Sequence, residues 1–150
     1  MTLDKAIKAV DFLVDNFYQK KEKNLIKENN IKINFFGGEP LLLWDEIIVP
    51  LIEYSKKYND LIIFTLTTNG LLLDEEKLIF LKKNNINFIL SMDGIEEASK
   101  YRVFPNGGNS FNILNNKVKL ISSLAPDTIF RMTINPETSN LLLDNYLYAI

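Results

Sequence analysis

Four clusters of small and polar residues each follow an apolar, strand-like stretch of this 150-residue chain. They are Gly37-Gly38-Glu39-Pro40, Thr67-Thr68-Asn69-Gly70, Ser91-Met92-Asp93-Gly94 and Thr133-Ile134-Asn135-Pro136. Glycine lets a backbone turn sharply and approach a ligand closely, while carboxylates, hydroxyls and amides supply hydrogen-bonding groups. In a parallel α/β sheet the loops after the strands converge at the carboxyl edge, where ligand sites form. The clusters therefore predict a ligand site along one edge of a sheet.

Each cluster also has a plainer interpretation. The first cluster could be a tight turn with an exposed Glu39, but the glycine pair, the acid and the proline together favour a binding loop. It is not a phosphate-binding loop of the Walker type, because the Lys-Ser/Thr pair of that motif is missing. Asn69-Gly70 is also a type I′ hairpin signal, yet the short apolar run after it meets an acidic helix start, which favours a strand–helix loop. Asp93-Gly94 is compatible with a simple turn. Arg102 could clamp a ligand carboxylate through two hydrogen bonds, or be a solvated charge.

The chain contains no cysteine and no histidine. This excludes disulfides, thiolate nucleophiles, the usual zinc sites and cysteine-ligated iron–sulfur clusters. It also excludes the Ser-His and Cys-His arrangements of nucleophilic catalysis. Carboxylates, lysines, tyrosines and hydroxyls remain for acid–base chemistry, so the chain by itself is poorly equipped for catalysis.

Composition predicts one globular unit, because 47% of the residues are apolar and 11% are aromatic. A net charge of −2 provides no basic surface for nucleic acid or for an anionic membrane. No apolar run is long enough to span a bilayer, and the first residues form an amphipathic pattern instead of a signal peptide. We therefore expect a cytoplasmic protein without nucleic-acid or membrane partners.

The spacing of apolar residues predicts alternating helices and strands. Helices are predicted to begin at Thr2 as an N-cap, near Pro50 after a short turn, at Asp74, at Ser110 as a cap and at Leu141; strands are predicted over Ile31–Phe36, Leu61–Leu66, Phe88–Leu90 and Thr128–Ile134. The second strand is a compact, mainly apolar run, which is typical of burial on both faces. A long loop, Gly94–Asn109, is expected to be functional or mobile. This alternation predicts a parallel α/β sheet with right-handed crossovers, about half of an eight-stranded barrel.

Four segments taken together, FFGGEPLL, TLTTNGLLLD, LSMDG with Arg102 shortly after it, and RMTINPE, resemble the radical S-adenosylmethionine (radical SAM) superfamily. The most similar branch contains peptide- and protein-modifying enzymes that often carry a SPASM-type extension, such as sulfatase-maturating enzymes. The resemblance extends from the first helix to Pro136. It implies an α/β fold, a partial parallel (β/α)₆ barrel of which this chain holds about four units. It also implies reductive cleavage of S-adenosylmethionine at a 4Fe–4S cluster to a 5′-deoxyadenosyl radical, which abstracts hydrogen from a peptide or protein substrate.

The resemblance further implies which residues meet the cofactor and assigns no catalytic or metal-ligating residue to this chain. The implied cofactor-binding residues are Gly37, Gly38, Glu39, Pro40, Thr68, Asn69, Ser91, Asp93 and Arg102. The two glycines and Glu39 would meet the amino group of S-adenosylmethionine. Ser91 would face its ribose or carboxylate, and Arg102 would pair with the carboxylate. The Thr68-Asn69 pair would lie beside the cofactor, and Asp93 would lie on the same edge as Ser91.

The family's Cys-x-x-x-Cys-x-x-Cys loop, the strand before it and the later strands are missing from this sequence. We therefore expect residues 1–150 to form a single incomplete barrel domain that is inactive alone and holds neither S-adenosylmethionine nor a 4Fe–4S cluster tightly. The alternative is a degenerate, non-catalytic module that binds a peptide or a partner protein. The two outermost strands would expose unpaired backbone groups, so self-association through open sheet edges is also expected.

The isolated chain is predicted to bind no iron–sulfur cluster, because the irons of such clusters need thiolate ligands and the sequence has no cysteine. Anaerobic reconstitution with iron and sulfide, followed by desalting and elemental analysis, measures this directly. Tightly bound iron and sulfide in stoichiometric amounts would contradict the prediction.

Overall fold

The computed structural model describes residues 1–104 and 106–149; Pro105, within the predicted long loop, and Ile150 lie outside the described residues. The helices are α1 (Leu3–Glu22), α2 (Val49–Ser55), α3 (Glu75–Lys83), α4 (Phe111–Leu124) and α5 (Leu142–Ala149), and the strands are β1 (Ile31–Phe35), β2 (Ile62–Thr68), β3 (Asn87–Ser91) and β4 (Ile129–Arg131). Within these residues the strands form one sheet in the order β1-β2-β3-β4. The pairs β1–β2 and β3–β4 are parallel. The predicted parallel α/β fold class is confirmed.

The chain divides into two compact units, Met1–Leu66 and Thr67–Ile150. In the first unit α1 packs against β1 and α2. It does so through a stripe of small apolar residues spaced four apart, Ala6, Val10 and Val14, the spacing that lines one face of a helix. Phe35 of β1 stacks on Phe64 of β2 with ring centroids 5.3 Å apart. These contacts fix the end of β1, from which the first polar cluster continues.

The segment before α2 is helical, whereas a short turn was predicted there. It consists of a 3₁₀ turn over Pro40–Leu43 and a π-helical turn over Trp44–Ile48. The predicted helix start near Pro50 is confirmed, because Pro50 lies in the first turn of α2. A proline is common in the first turn of an α-helix, because its fixed φ angle suits the helical backbone. The π-helical turn joins the two helical stretches without a break: the N–H of Val49 donates to the carbonyl oxygen of Trp44.

The prediction that the second strand is buried on both faces is wrong for its first half. Ile63 of β2 is 38% exposed, and complete burial is reached only at Leu66. The apolar run therefore identified the strand correctly, but the residues of β2 become consistently buried only toward its carboxyl end.

In the second unit, α3 begins as predicted. Asp74 is its N-cap, and Asp74 Oδ1 accepts a hydrogen bond from the N–H of Lys77 at 2.8 Å. The largest side chains that are fully buried in this unit, and that form its core, are Leu73, Leu78, Leu81, Leu90, Met92 and Ile121. The loop over residues 94–109 contains turns and one antiparallel bridge between Val103 and Asn109.

Strand β4 is shorter than the predicted Thr128–Ile134. It pairs with β3 only over Ile129–Arg131. Beyond Arg131 the N–H of Thr133 donates to Asp93 Oδ1 at 2.8 Å. The ladder ends because a side chain takes the donor that a longer strand would have used for pairing.

Two predicted N-caps occupy the expected positions without capping through their side chains. Thr2 precedes α1, and Ser110 precedes α4, yet neither side chain accepts a hydrogen bond from its helix. Ser110 Oγ donates instead to the carbonyl oxygen of Arg102 at 2.9 Å, and Asn109 Oδ1 accepts from the N–H of Phe111 at 2.8 Å. Asn109 therefore serves the first turn of α4, and Ser110 ties that turn to the long loop.

Strands β1 and β4 end the sheet, and every residue of both is at least partly exposed. The expected self-association through these edges stays a prediction. Among the described helices, none combines the length and apolarity needed to cross a lipid bilayer.

A polar cluster of Asp11, Tyr54, Lys57 and Tyr58 joins α1 to α2 and to the 3₁₀ turn after it. The hydroxyls of Tyr54 and Tyr58 both donate to the Asp11 carboxylate. Lys57 Nζ lies 3.8 Å from the centre of the Tyr54 ring and 3.5 Å from Asp11 Oδ1. The hydrogen bonds from Tyr58 and Tyr54 hold the pKa of Asp11 below its usual value.

This shift predicts a pH-dependent contribution of Asp11 to stability. Because the pKa is lower in the folded than in the unfolded chain, ionised Asp11 stabilises the fold above the unfolded value of 3.8, and the contribution is lost as the pH falls through the folded value. The difference in Tm between wild type and Asp11→Asn should therefore shrink as the pH falls below 3.8. Asp15→Asn, an exposed acid on the same helix, is the control; an equal effect of both variants at every pH would contradict the assignment.

Candidate functional site

The first polar cluster forms a loop whose backbone requires glycine. Gly37 and Gly38 have φ angles of +97° and +55°, in the left-handed region that side chains disfavour. A Cβ atom added at either position would meet no atom within 4 Å. The backbone conformation therefore imposes glycine here, and the space beside the loop is open to a ligand.

Glu39 and Pro40 continue this loop and start the 3₁₀ turn. Glu39 is its N-cap, and Glu39 Oε1 accepts a hydrogen bond from the N–H of Leu41 at 3.1 Å. Pro40 is buried at the first position of the turn. The carboxylate is therefore held close to the backbone of its own loop and cannot swing freely.

An apolar cavity of about 240 Å³ adjoins this loop within the first unit. Its walls come from α1, the end of β1 and the helical run that ends in α2, and Gly37 and Glu39 are among the lining residues. A cavity with apolar walls and few polar groups is the usual form of a small-molecule site.

The second cluster is a strand–helix loop, so the prediction against a hairpin is confirmed. Thr68 Oγ1 accepts a hydrogen bond from the N–H of Gly70 at 3.0 Å, and Asn69 Oδ1 accepts from the N–H of Leu71 at 2.9 Å. Gly70 has a φ of +76°, and a Cβ there would lie 2.4 Å from Leu90 Cδ1. These side-chain bonds stabilise a sharp bend in place of a two-residue hairpin turn.

The third cluster is organised around a buried carboxylate. Asp93 is 6% exposed. Arg102 donates to it twice, from Nε to Oδ2 at 2.7 Å and from Nη2 to Oδ1 at 2.6 Å. Thr133 adds its backbone N–H. Asp93 therefore gathers the loop after β3, the long loop and the segment after β4, and Ser91 lies two residues before it at the end of β3.

Arg102 makes a two-pronged ion pair as its residue type allows, but with Asp93 of its own chain. Within the described residues, the hydrogen bonds to Asp93 use Nε and Nη2 of Arg102 and leave out Nη1. The Arg102 side chain is 24% exposed. The guanidinium keeps donors for a further acceptor. Its pairing with a ligand carboxylate stays a prediction.

The structure thus brings the implied site residues together in two groups. Gly37, Gly38, Glu39 and Pro40 share one loop of the first unit; Thr68, Asn69, Ser91, Asp93 and Arg102 belong to the second unit. In the second group, hydrogen bonds link Asp93 directly to Arg102.

Two residues that hold these loops were missed by the sequence analysis. Asn145 of α5 is buried, and its Oδ1 accepts from the N–H of Ile95 at 3.1 Å, just after Gly94. Lys117 of α4 donates to the carbonyl oxygens of Leu71 and Leu73. An Asn inside an apolar helix stripe was the available signal for Asn145; for Lys117, a lysine among asparagines, the sequence offers none.

No protein-family model matches this chain. A cysteine-type anaerobic sulfatase-maturating enzyme of Clostridium novyi (strain NT) is 31% identical over 116 residues, which cover 75% of this chain and 31% of the relative. A radical SAM cyclopropyl synthase, TigE, of Paramaledivibacter caminithermalis is 31% identical over 148 residues, which cover 86% of this chain and 31% of the relative.

Two solved structures also align with most of this chain. The structure of native anSMEcpe with bound AdoMet and Kp18Cys peptide aligns with a TM-score of 0.70 at 28% identity, and covers 81% of this chain and 34% of that chain. Native anSMEcpe with bound AdoMet aligns with the same TM-score of 0.70, at 27% identity. The chain spans about a third of the length of these relatives.

Loss of the Arg102 guanidinium should strongly destabilise the second unit, because it leaves the buried Asp93 carboxylate without its partner. We expect Arg102→Ala to lower the free energy of unfolding by about 3 kcal/mol, measured by urea denaturation. Lys100→Ala, which removes the exposed Lys100–Glu137 pair, should have little effect. Adding Asp93→Asn to Arg102→Ala should recover part of the loss, and equal effects of Arg102→Ala and Lys100→Ala would contradict this account.

Proposed function

The chain is a homologue of radical SAM enzymes of the sulfatase-maturating kind, and we propose that it carries part of the S-adenosylmethionine site of an enzyme that modifies a peptide or protein. The observation that carries this proposal is the Gly37–Pro40 loop. Two glycines with positive φ leave open space beside the backbone, and Glu39 is fixed by its bond to Leu41. An open backbone next to an anchored carboxylate suits the ammonium group of an amino acid moiety.

In the second unit, the residue proposed to bind the carboxylate of S-adenosylmethionine is Arg102. Arg102 keeps Nη1 for the carboxylate of S-adenosylmethionine while Nε and Nη2 hold Asp93. Asp93 acts through Arg102: it fixes the plane of the guanidinium and neutralises its charge in part. Ser91 would offer its hydroxyl to the ribose or carboxylate, and Thr68 and Asn69 would lie beside the cofactor.

The residues present suit S-adenosylmethionine and do not suit an iron–sulfur cluster, because no cysteine exists to ligate iron. S-adenosylmethionine supplies a radical only when a cluster cleaves it reductively. We therefore propose that this chain alone is inactive. Binding through Glu39, Ser91 and Arg102 alone should be weak, in the millimolar range, about −4 kcal/mol.

The proposed substrate is a peptide or protein. The relatives support this choice, since one is a sulfatase-maturating enzyme and another was solved with the Kp18Cys peptide. In the chain itself, the apolar cavity beside Gly37 is suited to an apolar group next to the cofactor edge.

Glu39→Gln separates the charge of the loop from its structure. The amide oxygen of glutamine can still accept from the N–H of Leu41, so the 3₁₀ turn should persist, while the attraction for the ammonium group is lost. We expect S-adenosylmethionine to shift the amide NMR signals of residues 37–41 in the wild type, with a millimolar Kd. In Glu39→Gln we expect roughly tenfold weaker binding, the loss of about 1.4 kcal/mol from one charged hydrogen bond.

Glu46→Gln is the matched control, since Glu46 is an exposed acid on the neighbouring helical turn, and its titration should equal that of the wild type. Equal weakening by both substitutions would show only nonspecific electrostatics. If S-adenosylmethionine shifts no loop signal even at about 20 times the expected Kd of about 1 mM, the proposal fails and the non-catalytic, peptide-binding alternative is favoured.

A further inference from the structure

Lys117 lies in the middle of α4 and donates two hydrogen bonds outside its own helix. Its ammonium group contacts the carbonyl oxygen of Leu71 at 2.5 Å and that of Leu73 at 2.7 Å. Both carbonyls belong to the bend that follows Thr68 and Asn69. Within the bend, the N–H of Leu73 donates to the carbonyl oxygen of Gly70 at 3.1 Å. Lys117 therefore links two carbonyl groups of the bend to helix α4.

An ammonium group shared by two carbonyls differs from a surface ion pair. Leu73 is 1% exposed, so water cannot readily replace Lys117 as the donor to its carbonyl oxygen. A buried acceptor without a donor is costly, and a hydrogen bond from a charged donor is stronger than one between neutral groups. The contact should therefore fix the shape of the bend.

Helix α4 also contacts the long loop that carries Arg102. The N–H and the Oγ of Ser110, just before α4, both donate to the carbonyl oxygen of Arg102, at 3.0 and 2.9 Å. Gly70 lies against the same helix, because a Cβ there would be 2.7 Å from Leu114 Cδ1. One helix thus holds the Thr68-Asn69 loop at its middle and the Arg102 loop at its start.

We propose that Lys117 is a positioning residue for S-adenosylmethionine: through the carbonyls of Leu71 and Leu73 it holds Thr68 and Asn69 at the cofactor edge, in register with Arg102. This inference rests on the proposed function. Lys117 does not touch the cofactor in this account. Its loss should leave the fold of the helices intact and loosen one loop.

The test compares Lys117→Met, which keeps the length of the side chain without its donors, with Lys117→Arg, which keeps donors for both carbonyls. Lys119→Met is the control, since Lys119 is an exposed lysine on the same helix. Amide hydrogen exchange reports the loop without any ligand. We expect the amides of Leu71 and Leu73 to exchange at least tenfold faster in Lys117→Met, while the Ile86 amide, bonded to Leu81, stays unchanged. NMR titration with S-adenosylmethionine should give at least threefold weaker binding in Lys117→Met, and recovery in Lys117→Arg.

The outcomes separate this inference from the proposed function. Unchanged exchange at Leu71 and Leu73 in Lys117→Met would overturn the inference alone. Faster exchange with unchanged S-adenosylmethionine affinity would also overturn it, because the loop would then be held for stability and not for the cofactor. If S-adenosylmethionine shifts no signal even in the wild type, the proposed function fails and the inference fails with it. Weakening by Lys119→Met equal to that by Lys117→Met would reduce the effect to charge and overturn the inference.

Discussion

The second unit depends on the neutralisation of one buried carboxylate. Asp93 follows β3 and is nearly inaccessible, so its charge must be matched by donors. Arg102 brings in the long loop, and the N–H of Thr133 brings in the segment after β4. Strand β4 stops early for the same reason, since Asp93 takes the donor that would have extended the ladder. One side chain thus sets the path of three segments.

The glycines of the polar clusters serve two different constraints. Gly37 and Gly38 have positive φ but no neighbours where a side chain would lie. At Gly70 and Gly94 the φ angle is also positive, and an added Cβ atom would lie 2.4 Å from a side-chain atom of Leu90 or of Asn145, respectively, so packing also forbids a side chain there. The first kind leaves room for a ligand, and the second lets a loop close against its own unit.

The chemistry of the residues explains why the proposed site would bind S-adenosylmethionine but not an iron–sulfur cluster. Carboxylates, hydroxyls, an arginine and open backbone can bind an amino acid moiety and a ribose, but they provide no thiolate for the irons of a 4Fe–4S cluster. Helix α4 contributes rigidity to this arrangement: it bonds to the loop of Arg102 through Ser110 and to the loop of Asn69 through Lys117.

The sequence by itself determined the alternation of helices and strands, the parallel fold class, the strand–helix loop at Asn69-Gly70 and the helix starts at Asp74 and near Pro50. These depend on local periodicity, on capping groups and on the geometry of proline and glycine, all of which are legible in neighbouring residues. Only the tertiary structure decided that Asp93 pairs with Arg102, that Ser110 serves a distant carbonyl, and that Lys117 and Asn145 hold loops. Those contacts join residues 8 to 50 positions apart, and such partners are chosen by the packing of helices and strands, which no local pattern encodes.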